Sequence, residues 1–248
     1  MVIKLPEQLD DAIKQVSDDL EERMGQLLRA PEAYASTVIS MTPQTAANAG
    51  SSVARGEEAV LEAMRYSALS GGKRLRPFLT ICSAGLFGVS NDSAIEAACA
   101  IEFIHTYSLI HDDLPCMDDD DFRRGKPSTH RRFGDAVAVL TGDALLSDAF
   151  GFIAGAPINA SKQCLVLSTA IGSQGMVLGQ LDDLVSAQKT CETLQNKTGK
   201  LFECAYRLGA IAVGATRFQE LRLAKEGAAF GLEFQLLDDI ADGERCDF

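Results

Sequence analysis

Residues 97–121 read AACAIEFIHTYSLIHDDLPCMDDDD: fourteen mostly apolar residues from Ala97 to Ile110, then six carboxylates within the ten positions from Asp112 to Asp121. The apolar part predicts a largely buried helix, with Asp112 and Asp113 on its last turn. That is the wrong end for anions, because a helix dipole is negative at its C-terminus. Six like charges beside one another add mutual repulsion, so a cation is expected there. Pro115 lacks an amide hydrogen and disfavours helix at Leu114, so the chain should open before Asp118 arrives. Asp112 and Asp118 can then face one cleft from two sides. Hard oxygen donors without thiolate pairs favour Mg²⁺, which is commonly held by one or two carboxylates plus substrate phosphates. Arg123, Arg124 and Lys126 follow at once, and guanidinium forks suit phosphate oxygens. The combination points to a Mg²⁺-diphosphate site. The bland alternative is a solvated acidic loop. A calcium loop fails on spacing, since counting from Asp118 the sixth position is not glycine and the twelfth is Thr129.

The 248 residues are 46% hydrophobic but only 6% aromatic, with no Trp, which favours closely packed helices with aliphatic and small side chains. A formal charge of −12 argues against nucleic acid as partner. No run of about twenty apolar residues suggests a membrane span, and the first residues lack the pattern of a signal peptide, so a cytoplasmic protein is expected. Seven dispersed cysteines without a CxxC pair read as reduced thiols, and Cys116 as incidental to its motif.

Further helices are predicted over 7–29, 57–70, 94–111, 133–153, 161–184, 192–214 and 219–240, with a long irregular connection over 30–56. Gly71-Gly72 ends one helix, and Lys73-Arg74-Leu75-Arg76-Pro77 opens the next, so free amide groups and three cations coincide in a candidate anion site. A basic surface cap is the plain alternative. His105 lies seven residues before Asp112, close to the same helix face. Gly172, Gly175 and Gly179 allow close backbone approach, whereas Gln180, Asp182 and Asp183 read as polar residues at a fraying helix end. Lys197-Thr198-Gly199 is no Walker loop. No segment alternates in strand fashion, so the expected fold is all-α: a bundle of about eight or more helices around a central cavity.

Phe234-Gln235-Leu236-Leu237-Asp238-Asp239-Ile240-Ala241-Asp242 supplies a second acidic face, with Asp238 and Asp242 four residues apart. Two such clusters on apolar helices suggest opposing walls of a metal-filled cleft. With this element the chain resembles the short-chain trans-isoprenyl diphosphate synthases. The resemblance covers roughly Glu57 to Asp242. It rests on Gly71-Gly72-Lys73-Arg74-Leu75-Arg76-Pro77, on Asp112-Asp113 with Asp118 and Arg123-Arg124-Gly125, on Lys197-Thr198-Gly199, and on Phe234-Gln235 with Asp238, Asp239 and Asp242.

The resemblance implies ionisation of an allylic diphosphate, addition of the cation to isopentenyl diphosphate, and loss of a proton. It implies Asp112, Asp113, Asp118, Asp238 and Asp242 as metal ligands, for about three Mg²⁺ once diphosphate is bound. Arg123, Lys197, Thr198 and Gln235 would contact the allylic substrate, and Lys73, Arg76, His105 and Arg124 isopentenyl diphosphate. Asp112, Asp118, Arg123, Lys197 and Asp238 would thus carry the catalysis. Tyr107 and Ser108 would form part of the floor that limits product length. The bulk of Tyr107, with the Leu114-Pro115 insertion, resembles the farnesyl-producing type, with geranylgeranyl diphosphate the alternative product. A non-catalytic regulatory subunit and a terpene cyclase are rivals, both disfavoured by intact motifs at two diphosphate sites. A homodimer is implied. So is a single synthase-like domain over 1–248 whose C-terminal part is missing, with a shortened connection over 183–196.

Overall fold

The computed structural model describes residues 7–28, 51–89, 94–185, 193 and 195–242. Helix follows helix: α1 (Glu7–Leu27), α2 (Ser51–Ala68), α3 (Leu75–Gly85), α4 (Ile95–Asp112), α5 (Thr129–Phe133), α6 (Asp135–Ala154), α7 (Ala160–Ile171) and α8 (Met176–Val185). A π-helical turn at Gln195–Gly199 then leads into α9 (Lys200–Ala212) and α10 (Arg217–Asp242). The expected all-α class holds.

The apolar run quoted above becomes α4. Ala98 through Ile101, Phe103 and Ile104 are all fully enclosed. The small side chains of Ala98, Cys99 and Ala100 let neighbouring helices α6 and α3 pack directly against α4, and Phe103 meets Phe152 of α6 edge-on at 5.1 Å between centroids. Each enclosed Phe or Ile contributes about 2 kcal/mol of burial. On the other side of α3 runs α9, which also packs on α7 and α10. There the Ser83 hydroxyl donates to the Tyr206 carbonyl at 2.6 Å. Leu20 and Met24 of α1 close the core near the start of α4.

Three expectations need correction. The helix predicted over 161–184 is two, because Gly172 takes an extended conformation as the C-cap of α7 and the chain turns before α8 begins. Helix begins at Ser51 rather than Glu57; residues 30–50 of the expected connection lie outside the described residues. The third concerns the segment after the aspartates, which forms a small hairpin, with Phe122 paired to Pro127 and Arg123 to Lys126. Its two-residue loop is Arg124-Gly125, both with positive φ (53° and 74°), the requirement of a type I′ turn. By length and composition alone, α6 and the stretch from Ala160 to Val185 could cross a bilayer. Instead α6 buries Ala138, Leu145, Ala149 and Ile153 within the bundle, and the second stretch is broken at Gly172.

Candidate active site

At the C-terminal end of α4 the bundle opens into a cavity of about 410 Å³. Its wall carries His105, Tyr107, Ser108 and Asp112 from α4, Arg76 from α3, Gln180 and Leu181 from α8, and Lys197 and Thr198 from the π-turn. Residues from four separate stretches thus converge, as a site at the middle of a helical bundle requires.

Asp112 is the last residue of α4, and the Asp118 amide donates to its carbonyl at 2.9 Å. The chain therefore doubles back after Pro115, as Pro115 led one to expect. Burial raises the Asp112 carboxyl to about 6; Lys197 opposes the shift and the charge of Asp118 reinforces it. Asp113 turns the other way. Its buried carboxylate accepts from Arg123, with Nε to Oδ1 at 3.0 Å, and Arg123 also reaches Asp120 at 3.0 Å. The adjacent aspartates are thereby divided, one on the cavity and one holding an arginine. Asp118 is exposed on the loop.

The I′ hairpin sends Arg123 and Arg124 to different partners. Arg124 donates to the carbonyl of Gly71, and its Nη1 is 3.3 Å from the Ser70 hydroxyl. Gly72 is required here: its φ is +130°, and a Cβ would lie 2.7 Å from the Arg124 guanidinium carbon. Arg76 stacks over Phe202 at 4.3 Å, and Lys73 lies 5.8 Å from the Phe234 ring, on α10. His105 is kept well below its ordinary pKa by its enclosure and by the nearby charges of Arg76, Arg124, Arg74 and Arg123, so its imidazole is neutral. Tyr107 is pushed up to about 12, by burial first and then by Asp112.

On the opposite wall Lys197 pairs with Asp183 at 2.5 Å, and the Thr198 hydroxyl donates to Gln235 at 2.8 Å. Gly179 makes this possible, since a Cβ there would collide with the backbone of Asn196 and Lys197. Gly175, in the turn before α8, is likewise pressed against the Ala170 carbonyl of α7. The sequence alone reads Asp183 and Gln180 as a fraying end; their three-residue spacing, which puts them on one helix face, is the signal for a shared role. Arg74, the middle cation of its motif, proves to be buried and ion-paired with Glu102.

Asp238 and Asp242 belong to α10, Asp238 three residues beyond Gln235; their side chains lie outside the described residues. Among the described residues no three His, Cys, Asp or Glu side chains group as a metal cage. Asp112 and Asp118 nevertheless suit an ion that takes one or two carboxylates and fills its shell with water and phosphate. The raised Asp112 carboxyl marks a negative charge that a cation would relieve.

The polyprenyl synthetase family model matches residues 57–245. The chain belongs to the polyprenyl synthetase family. Among solved structures, an FPP/GFPP synthase from Zymomonas mobilis superposes with a TM-score of 0.78 at 36% identity, covering 97% of this chain and 84% of that one. A geranyltransferase from Legionella pneumophila gives 0.77 at 32% identity, covering 95% and 79%. Curated relatives within the polyprenyl synthetases include a chloroplastic geranylgeranyl pyrophosphate synthase of Catharanthus roseus, 49% identical over 73% of this chain and 54% of that protein. Another is the large subunit 1 of a heterodimeric geranylgeranyl pyrophosphate synthase of Arabidopsis thaliana, 48% identical over 73% and 53%. The chain spans about half the length of these curated relatives.

Proposed function

We propose that this chain is a Mg²⁺-dependent prenyltransferase that condenses isopentenyl diphosphate with an allylic diphosphate to form geranylgeranyl diphosphate. The observation that carries the reading is the single cavity that brings Asp112, His105, Arg76, Lys197 and Thr198 together above Leu181, Leu184 and Met176. Charge for a diphosphate and apolar wall for a hydrocarbon chain meet there.

Asp112 and Asp118, with Asp238 and Asp242 from α10, would hold the metal, and Asp113 would hold Arg123 in place. Bound Mg²⁺ would act as a Lewis acid on the diphosphate leaving group. Arg123 and Lys197 add fixed positive charge where that group gains negative charge. Each is pre-oriented by a carboxylate, Asp113 or Asp183, so little reorganisation is needed during reaction. Gln235 and Thr198 order the allylic side of the site through their mutual hydrogen bond. Neutral His105, with Lys73, Arg76 and Arg124, would receive isopentenyl diphosphate as a hydrogen-bond donor rather than as a further full charge. The apolar wall keeps water from the allylic cation. The departing diphosphate would take the proton.

The plant relatives are geranylgeranyl pyrophosphate synthases, which favours the geranylgeranyl alternative over the farnesyl product expected from Tyr107. Tyr107 packs edge-on against His111 at 5.7 Å, and His111 is anchored 3.1 Å from the Val139 carbonyl. Val139 and Leu140, exposed on α6, support a homodimer contact. The test is chromatography of products from isopentenyl diphosphate with dimethylallyl, geranyl or farnesyl diphosphate and Mg²⁺. A twenty-carbon product is expected. A fifteen-carbon end product would return the assignment to farnesyl diphosphate, and no turnover would remove the prenyltransferase reading.

A further inference from the structure

Glu102 lies one turn before His105 on α4, with its side chain 2% exposed. A carboxylate so enclosed is costly unless donors match it. Its Oε1 accepts from Nη1 of Arg74, whose guanidinium is itself 0% exposed. Arg74 also donates to the Ala68 carbonyl at 2.6 Å and to Glu21 at 3.1 Å. Fully enclosed, it offers no face to a substrate, although it sits in the middle of a cationic motif. Arg74 also holds a left-handed backbone conformation, φ 46°, which the buried pair keeps in place.

The same Glu102 oxygen is 4.0 Å from Nη2 of Arg124, which retains 23% of its side-chain exposure. Arg124 comes from the hairpin and Arg74 from the glycine turn before α3. Glu102 lies between these two chain segments and is charged oppositely to both. Arg74 and Arg124 are two of the four guanidiniums whose charges add to burial in keeping His105 below its ordinary value. Without a buried counter-charge they would repel each other and separate.

Resting on the function proposed above, we propose that Glu102 is a positioning residue for isopentenyl diphosphate. Without touching the ligand, it sets the spacing of Arg74 and Arg124 and hence the seat in which Arg124 meets a phosphate.

The test compares wild type, Glu102→Gln and Glu102→Asp in steady-state kinetics and in calorimetric titration with isopentenyl diphosphate alone. Glu102→Gln is expected to raise the KM for isopentenyl diphosphate about tenfold and weaken its binding equally, the scale of one charge-assisted contact. The KM for the allylic diphosphate should stay within about twofold, and Glu102→Asp, which keeps the charge, should fall between. A folded Glu102→Gln protein with both KM values unchanged, or both raised alike, overturns the proposal. If Glu102→Gln does not fold, Glu102→Asp decides by the same selectivity. A wild type that binds isopentenyl diphosphate without turnover counts against the condensation reading, while the binding comparison still judges Glu102. A wild type that does not bind it overturns both.

Discussion

Without a cation, partial burial pushes the half-buried Asp112 carboxyl up to about 6; Lys197 opposes this and the charges of Asp118 and Asp113 add to it. Its folded-state value lies above the ordinary 3.8, so ionising it opposes folding. That penalty is complete above about pH 6 and disappears as pH falls towards 4. His105 works against this trend, since a depressed imidazole costs stability once the unfolded chain takes up its proton below about pH 6.5. The contribution of Asp112 is therefore read as a difference. Metal-free Asp112→Asn should be more stable than wild type by on the order of 2 kcal/mol at pH 7, and the gap should close by pH 4 to 5. Urea unfolding at several pH values checks this. The same variant should lose prenyl transfer by at least about a hundredfold, since a group used for ion binding need not help the empty protein fold. If Asp112→Asn instead destabilises the metal-free chain at pH 7, Asp112 is not the strained group described here.

At the scale of elements, the site depends on how closely α8 and the π-turn approach. Gly179 faces the backbone of Asn196 and Lys197 so closely that one added methyl has no space. Gly179→Ala should force the two apart and displace Lys197 from Asp183 and Thr198 from Gln235. The expected cost is about 1 to 3 kcal/mol by overpacking, with the KM for the allylic diphosphate rising and that for isopentenyl diphosphate little changed. Unaltered allylic kinetics in a destabilised protein would separate this contact from the chemistry. Farther from the cavity, Glu220 links α10 to α7 and α9. Burial pushes its carboxyl up, but hydrogen bonds from Lys162, Arg207 and Arg217 outweigh that and hold it below its usual value. Those ties fix α10, the helix that carries Gln235 and Asp238.

Over the whole molecule, a charge of −12 and a run of aspartates repel the very anions that the cavity should hold. Metal and diphosphate should therefore bind together and stabilise together. Mg²⁺ with inorganic diphosphate is expected to raise Tm well beyond the sum of the two separate effects, by about 2.7 kcal/mol in stability at a hundredfold excess over Kd. Differential scanning fluorimetry with Mg²⁺, diphosphate, both, and both plus EDTA measures this. Strictly additive shifts would mean that the two ligands occupy independent sites.

Helical class, the buried α4 and the break at Pro115 were all legible from residue order, because periodicity, proline and clustered charge act over a few residues. So was the grouping of Asp112, His105, Arg76, Lys197 and Thr198 at one cavity, through the likeness of the motifs. Other assignments required the packed chain. Asp112 and Asp113 are neighbours with different partners, Arg74 serves the core while Arg76 lines the cavity, and Asp183 steadies Lys197 rather than fraying a helix. Each depends on which distant segment meets which face. Local sequence does not encode that, because such contacts arise only when helices far apart in the chain close on one another.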